Sequence, residues 1–348
     1  MSGVIKNAIR FLREQLTDIP VPTGSLKGKT IVVVGANVGL GFEAAKRLAQ
    51  LEPDRLVVTS RDATKGEEAK KLIGDGANSG ELSLSLVDFS SFDSVRAFAD
   101  EIADGGNAKL DSLLINAGVA TSIYAPTSDG WEKTLQVNYL SNALLSILLL
   151  PTLIKSATAD AASRLLIVSS DAHYLATLDD VKKSPNIVKE LSDPKYCTQK
   201  NMDKLYYTSK LLGVMFVESL AARLPRPTPV AVLAVNPGFC HSKLTREADE
   251  RPLKKYVIRS FKAIFARTTE VGSRTLVHSV IDPDERAFHG HFVSTCKVVE
   301  ESAYLRTAEG KALAGRVWTE TLEILEGVDP RVKQIVSEYL SSPAGQST

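Results

Sequence analysis

The sequence predicts an α/β protein with a doubly wound parallel sheet, arranged as a single domain with lid insertions and C-terminal helices. Runs rich in Val, Ile and Leu alternate with segments whose apolar residues recur at helical spacing. A glycine-rich segment, 35–41, joins the first such run to the first such helix, and polar or glycine residues follow the later runs. This alternation is typical of sheets in which helices connect parallel strands and ligands bind at the carboxyl ends of those strands.

The composition predicts a globular protein and favours no charged partner. The 348 residues are 44% hydrophobic, and 42 Lys and Arg balance 41 Asp and Glu to give a formal net charge of +1, so nothing favours nucleic acid. Cys197, Cys240 and Cys296 are far apart, which predicts a reducing, cytoplasmic compartment and neither a disulfide framework nor a metal site. The longest apolar run, 143–150, is closed by Pro151 before it reaches membrane-spanning length.

Residues 1–24 are predicted to form an N-terminal amphipathic helix, Val4 to Leu16, and a proline-containing linker. The helix lacks the features of a signal peptide. Two interpretations are open: it packs on the domain, or its basic rim makes a peripheral contact with a membrane surface. The main α/β domain is predicted to span 25–300, and 301–348 to form C-terminal helices and a tail.

The glycine-rich segment follows the β-branched run Thr30 to Val34 and precedes a helical pattern. Glycines let the backbone approach a pyrophosphate, and the N-terminus of the next helix offers unpaired N–H groups. The spacing is G-x-x-x-G-x-G, and a tight turn without a ligand is the alternative. The candidate cofactor contacts in this segment are Gly35, Asn37, Val38, Gly39, Leu40 and Gly41.

The ends of the following strands supply further candidate cofactor contacts. These are Arg61, Asp88, Asn116, Ala117 and Gly118, with Lys65 at the start of a helix. Arg61 stands where a carboxylate would bind the 2′-hydroxyl of NAD, so it favours the 2′-phosphate of NADP(H). A solvated surface arginine is the alternative.

Tyr206 and Lys210 are four residues apart at the start of a long apolar-periodic segment, which places both on one face of a helix that we expect to begin near Asp203. A neighbouring ammonium lowers the pKa of a phenol, and this would bring Tyr206 into the range useful for proton transfer at neutral pH. Chance produces the same spacing on many helix surfaces.

Two further polar residues lie at positions suited to a site. Asn138 lies inside a predicted helix from Trp131 to Leu150, where it either bonds neighbouring backbone or holds a water near a catalytic lysine. Ser170 follows the predicted strand Arg164 to Val168, at the edge where a substrate would lie.

Two insertions are expected around the substrate. Residues 171–204 are longer than a compact α/β connection and suggest a wall or lid, and residues 240–268 mix apolar and basic side chains, as expected of a cover for an apolar substrate. Between them Pro237 and Gly238 form a second glycine turn that closes the cofactor site.

Taken together, these motifs from about Lys27 to Phe292 resemble the short-chain dehydrogenase/reductase family. Ser169 to His173, Tyr206 to Leu211 and the C-terminal segment from Glu309 to Leu325 are similar to its retinol-dehydrogenase-like branch, as found in many fungal reductases. The resemblance implies a Rossmann fold, a nicotinamide cofactor and a catalytic set of Asn138, Ser170, Tyr206 and Lys210. It also implies that Tyr206, Lys210 and Ser242 line the cofactor. Val34 departs from the family, which usually has threonine there, so the geometry of the glycine loop is in question.

The function that this resemblance implies is an NADP(H)-dependent oxidoreductase that interconverts a carbonyl and an alcohol on a lipophilic small molecule, such as a retinoid-, steroid- or terpenoid-like compound. Tyr206 would exchange the proton and Ser170 would bond the reacting oxygen. Lys210 would hold the nicotinamide ribose, and Asn138 would fix a water. The alternative is a non-catalytic NADP-sensing protein, for which the serine would serve no purpose. The oligomeric state stays open between monomer and homodimer.

Overall fold

A computed structural model describes residues 3–77, 80–104, 108–241, 265–282 and 284–341. The described residues form one eight-stranded sheet in the order β3-β2-β1-β4-β5-β6-β7-β8. All neighbouring strands are parallel except β7 and β8, which are antiparallel. The predicted doubly wound α/β fold is therefore confirmed, with one antiparallel strand added at the edge. The sheet order reverses between β1 and β4, which is where such sheets bind their ligands.

The strands are β1 Thr30–Val34, β2 Arg55–Ser60, β3 Glu81–Leu86, β4 Ser112–Ile115, β5 Ser163–Val168, β6 Val230–Asn236, β7 Phe292–Ser294 and β8 Lys297–Val299. The longer helices are α1 Gly3–Leu16, α2 Gly39–Ala49, α3 Ala63–Gly74, α4 Phe92–Asp104, α6 Ser141–Leu148, α7 Leu150–Ser156, α9 Gln199–Ala221, α10 Thr269–Ile281, α12 Ala308–Val328 and α13 Arg331–Tyr339. Short helices are α5 Lys133–Leu135, α8 Ile187–Glu190 and α11 Ala303–Arg306.

Both faces of the central strands are buried, as continuous apolar runs require in a parallel sheet. In β1, Ile31 and Val33 pack in the core beneath α2 and α10, while Val32 and Val34 pack in the core beneath α4, α6 and α9. The predicted C-terminal helices α12 and α13 pack outside the helices α4, α6 and α9. Trp318 of α12 stacks on Phe216 of α9 at 5.6 Å between ring centroids.

The predicted helix from Trp131 to Leu150 is wrong in its start and its regularity. Helical residues begin at Lys133, residues 136–140 form a π-helical turn, and a break at Leu149 separates α6 from α7. Among the described helices, no single one is long and apolar enough to cross a membrane. The segments Lys133–Leu148 and Leu150–Ser156 reach that length and apolar content only when taken together, and they are bent by 48° relative to each other.

Strand β8 was not predicted, because the hairpin before it lacks the usual Gly or Asn signal. The pattern of the sequence predicts a short final strand from His291 to Ser294, whereas in the structure Thr295 and Cys296 turn the chain back with positive φ angles of 49° and 61°. Thr295 is β-branched, and such residues rarely adopt positive φ angles. The local sequence therefore contains no turn signal at this position.

Helix α1 packs on the domain through one side. Phe11 faces Phe239 at 6.2 Å between ring centroids, and the side chain of Gln15 is buried against the same loop. The apolar residues Ile5, Ile9, Leu12 and Leu16 are exposed on another side. The predicted membrane contact stays a prediction, as do the domain boundaries.

Candidate active site

The glycine loop after β1 is held by two side chains from neighbouring strands. Gly35 and Gly39 adopt positive φ angles of 77° and 69°. The Gly35 N–H donates to Thr59 Oγ1 of β2 at 3.0 Å, and Asn116 Nδ2, which follows β4, donates to the Gly35 carbonyl oxygen at 2.9 Å. Thr59 therefore gives the loop a hydroxyl anchor although Val34 stands where relatives have threonine. Thr59 was not among the predicted residues, because the family places this hydroxyl on the first strand and not on the second.

This loop fits the diphosphate of a dinucleotide. A Cβ atom at Gly41 would lie 2.2 Å from the Gly35 carbonyl oxygen, so only glycine allows α2 to approach the loop this closely, whereas a Cβ at Gly39 would meet open space. Helix α2 begins at Gly39, so its unpaired N–H groups and positive dipole end lie beside that space. Asn37, Val38 and Leu40 belong to the same partly buried turn.

The segment Asn116 to Gly118 links the cofactor loop to the predicted catalytic residues. Asn116 bonds the glycine loop, and a Cβ built on Gly118 would lie 3.4 Å from Asn138 Oδ1 and 3.8 Å from Lys210 Nζ. A Cβ at Gly35 would in turn lie 3.1 Å from the backbone of Ala117. The structure therefore brings these predicted residues together at the switch point of the sheet.

Asn138 is held by direct hydrogen bonds on the π-helical turn. Its Nδ2 donates to the Val119 carbonyl oxygen at 2.9 Å and to Ser209 Oγ at 3.0 Å, and its Oδ1 accepts from the Val119 N–H at 2.8 Å. The backbone bonding that was one of the two alternatives is present, and the water near the lysine stays a prediction. The side chain thereby joins the loop after β4 to helix α9.

Tyr206 and Ser170 meet across the carboxyl edge of the sheet. Ser170 follows β5 and caps a short 3-10 turn, Asp171–Leu175, by accepting the Ala172 N–H at 3.2 Å. Helix α9 begins at Gln199, seven positions before Tyr206 and earlier than the expected start near Asp203. The hydroxyl of Ser170 lies near that of Tyr206: burial raises the pKa of Tyr206 to about 12, and the nearby Ser170 hydroxyl acts in the opposite direction.

Lys210 lies one turn further along α9 and is buried. Its Nζ donates to the Val168 carbonyl oxygen at 2.8 Å and lies 5.9 Å from the centroid of the Tyr206 ring. Burial lowers the pKa of Lys210 to about 8. The lowering of the Tyr206 pKa that the spacing predicts is not found, because burial raises this pKa and Lys210 is not among the groups that shift it. Tyr206 is therefore a protonated phenol at neutral pH.

His173 supports the Ser170 turn and is itself fully buried. Its Nδ1 donates to the Ser170 carbonyl oxygen at 2.8 Å, and its Nε2 accepts from the Ser302 N–H at 3.2 Å, so one neutral tautomer is fixed. Burial lowers the pKa of His173 to about 4. Both ring nitrogens are bonded to backbone, which leaves this residue a structural role.

Arg61 and Lys65 lie at the far end of the site and are exposed. Asp62 caps helix α3 by accepting the Lys65 N–H at 3.0 Å, and its other carboxylate oxygen lies 3.2 Å from Lys65 Nζ. The charge of Lys65 is therefore partly offset within its own turn. Asp88 follows β3, and its Oδ1 accepts from the Ser90 N–H at 2.9 Å.

The second glycine turn lies where the sequence predicts it. Gly238 has a positive φ of 78°, and its N–H donates to Asn236 Oδ1 at 3.1 Å. Pro237 and Gly238 follow β6, which pairs with β5, the strand that precedes Ser170. Ser242 and most of the predicted lid, 242–264, lie outside the described residues.

Comparisons with known proteins agree with this geometry. A family model for short chain dehydrogenases matches residues 29–176. A short chain dehydrogenase/reductase of the fungus Cryptosporiopsis is 36% identical over 330 residues, covering 92% of this chain and 98% of that protein.

Solved structures share the fold. One from Mycobacterium paratuberculosis has a TM-score of 0.64 at 24% identity and covers 89% of this chain and 98% of its own. That of Pseudomonas aeruginosa RhlG in an NADP active-site complex has a TM-score of 0.53 at 21% identity, covering 77% and 95%.

The fold and the dinucleotide loop define an oxidoreductase that uses a nicotinamide cofactor. The chain belongs to the short-chain dehydrogenase/reductase family, which uses NAD(H) or NADP(H).

Proposed function

We propose that this protein interconverts a carbonyl and an alcohol on a lipophilic small molecule, with NADP(H) as its cofactor. The observation that carries the proposal is the clustering of Tyr206, Ser170, Lys210 and Asn138: Ser170 lies near the Tyr206 hydroxyl, Lys210 Nζ lies 5.9 Å from the Tyr206 ring, and Asn138 bonds Ser209 on the same helix. All four side chains lie at the carboxyl edge of the sheet, next to a glycine loop that fits a diphosphate.

The roles follow from the residue types and their protonation. When bound, the nicotinamide supplies or accepts the hydride. Tyr206, protonated at neutral pH, donates its proton to the substrate oxygen during carbonyl reduction and takes it back during alcohol oxidation. Ser170 bonds the same oxygen, where negative charge develops. Lys210, charged at neutral pH and close to Gly118, holds the ribose hydroxyls.

Exposed apolar residues beside this site support a lipophilic substrate. Leu175 ends the turn that begins after Ser170 and is 67% exposed, and Ile123, in the loop after β4, is 63% exposed. Gln199, the first residue of α9, ties the Ile123 loop to this helix by donating to the Ser122 carbonyl oxygen at 3.0 Å. Apolar side chains left in water around a polar centre are typical of small-molecule sites.

Arg61 supports the preference for NADP(H). It follows β2, where a residue of a dinucleotide site reads the 2′-position of the ribose, and its exposed guanidinium can bond a phosphate in a forked geometry.

A panel assay tests the proposal. Consumption of NADPH, followed by its absorbance, is measured with apolar ketones and aldehydes of retinoid-, steroid- and terpenoid-like shape and with small hydrophilic carbonyls; Tyr206→Phe is the matched control. We expect turnover of apolar carbonyls by the wild type alone. Tight NADPH binding without turnover of any compound in either direction would favour the cofactor-sensing alternative.

A further inference from the structure

Helix α1 is joined to the turn after β6 by one buried amide. Gln15 Nε2 donates to the carbonyl oxygens of Phe239 and Phe265 at 2.7 and 2.6 Å, and its Oε1 accepts from the Phe239 N–H at 3.1 Å. Phe239 thus bonds Gln15 through both of its backbone groups, as a residue in a sheet bonds its neighbour. A Cβ at Gly238 would lie 3.2 Å from Gln15 Oε1, so the amide lies directly against the turn.

The residue before Gln15 reaches the same turn from another direction. Ser294 Oγ at the end of β7 donates to Glu14 Oε2 at 2.7 Å, and it accepts from Asn236 Nδ2 at 3.1 Å. Asn236 Oδ1 accepts from the Gly238 N–H. A chain of hydrogen bonds therefore connects α1 with both sides of the Pro237–Gly238 turn.

The residue after Ser170 lies near this chain of hydrogen bonds. Burial, together with the nearby charge of Glu14, raises the pKa of Asp171 to about 6, and the neighbouring Asn236 acts in the opposite direction. Arg267 donates to the carbonyl oxygens of Glu14 and Thr17, which secures the last turn of α1. Helix α1 is thus bonded to the turn after β6 through several groups.

We propose that Gln15 is a positioning residue for the cofactor. It holds the Pro237–Gly238 turn against the nicotinamide end of the site through Phe239, without touching the cofactor itself. The inference rests on the proposed function, in which this turn closes the cofactor site. An amide is suited to the position because it offers two donors and one acceptor at once, and all are used.

Gln15→Leu tests this, because it keeps the approximate volume and removes all three hydrogen bonds. Leu16→Ala, on the next and exposed residue, is the matched control. We expect the Kd and KM for NADPH to rise roughly tenfold, as the loss of a few hydrogen bonds to a turn predicts. The kcat at saturating NADPH and the KM for the carbonyl substrate should stay within about twofold of wild type, and Leu16→Ala should change none of them.

Gln15→Glu keeps the inference testable if the leucine variant does not fold. A buried carboxyl has a raised pKa and at mildly acidic pH donates one hydrogen bond and accepts another. NADPH affinity relative to wild type should therefore recover as pH falls from 8 to 5.5. Since Glu14, Asp171, Arg10 and Arg267 carry charge near this contact, the ratio to wild type is taken at each pH.

The outcomes separate the two proposals. If wild type does not bind NADPH, the proposed function fails. If wild type binds NADPH and folded Gln15→Leu binds it equally well, or if the Gln15→Glu ratio is the same at both pH values, the positioning role is overturned.

Discussion

The two ends of the proposed cofactor site differ in how their side chains are held. At the reacting end, Asn138 and Lys210 are buried and bond backbone atoms from other elements at 2.8 to 2.9 Å. At the ribose-phosphate end, Arg61 and Lys65 are exposed, and the ion pair of Lys65 lies within its own helical turn. Buried groups act through fixed geometry, whereas exposed charges act through a field that salt screens. Substitutions should therefore cost most at the reacting end.

The largest effect is expected for Tyr206→Phe, which removes the proton donor and keeps the ring. Loss of a general acid predicts a fall in kcat of roughly 10³-fold, within the usual range for proton-transfer groups. The Kd for NADPH should stay within about twofold. The measurements are steady-state kinetics on a substrate found in the panel and a fluorescence titration; near wild-type turnover would contradict the assigned role.

A large effect on stability is expected at His173, which holds the Ser170 turn. Its pKa is about 4 in the folded chain and 6.5 when unperturbed, so the unfolded chain takes up this proton first as pH falls. Stability from this group is fully present above about pH 7 and is lost between pH 6.5 and 4, by about 3 kcal/mol.

His173→Leu should therefore be less stable than wild type at pH 7 and show a shallower loss of unfolding free energy toward pH 4. Urea denaturation at several pH values measures both. The same pH dependence in wild type and variant would mean that His173 does not titrate as the structure indicates.

Ser170→Ala should lower kcat by roughly 10²-fold, because one hydrogen bond to the reacting oxygen is lost. NADPH affinity should change less than in Lys210→Ala, whose ammonium is assigned to the ribose. Equal losses of affinity in the two variants would show that these residues do not have separate roles.

The smallest effects are expected at the exposed end. A charge-assisted bond from Arg61 to a 2′-phosphate is worth roughly 1.5–3 kcal/mol, about one to two decades of affinity. Wild type should bind NADPH more tightly than NADH, and Arg61→Asp should reverse the order. Lys65→Ala should change the ratio only a few-fold, because Asp62 already offsets that charge.

Fluorescence titration at fixed ionic strength measures the dissociation constants for both cofactors and so tests the role of Arg61. Tighter binding of NADH by wild type, or an unchanged ratio in Arg61→Asp, would remove Arg61 from the role of reading the phosphate.

The sequence predicted the parts that depend on local pattern. Short stretches of sequence are enough to predict the alternation of strands and helices, the glycine loop and the spacing of Tyr206 and Lys210. The contacts of Gln15 with Phe239 and Phe265 were missed, because they join residues 224 and 250 positions apart and leave no periodic signal. Thr59 was missed because the hydroxyl was expected at position 34 of β1 and lies on the neighbouring strand β2 instead. The pKa of Tyr206 depends on burial, which residue spacing does not reveal.

The π-helical turn at 136–140 makes the number of residues in a single turn matter for the position of Asn138. A π-helical turn holds about one residue more than an α-helical turn over the same rotation, so removing one residue here would leave a regular α-helix whose flanking segments keep their directions. The residues of the turn itself would shift, and the Asn138 amide would move relative to Val119 and Ser209 although its own side chain had not been altered. Chain length at that turn therefore fixes where the amide lies as much as the identity of the residue does.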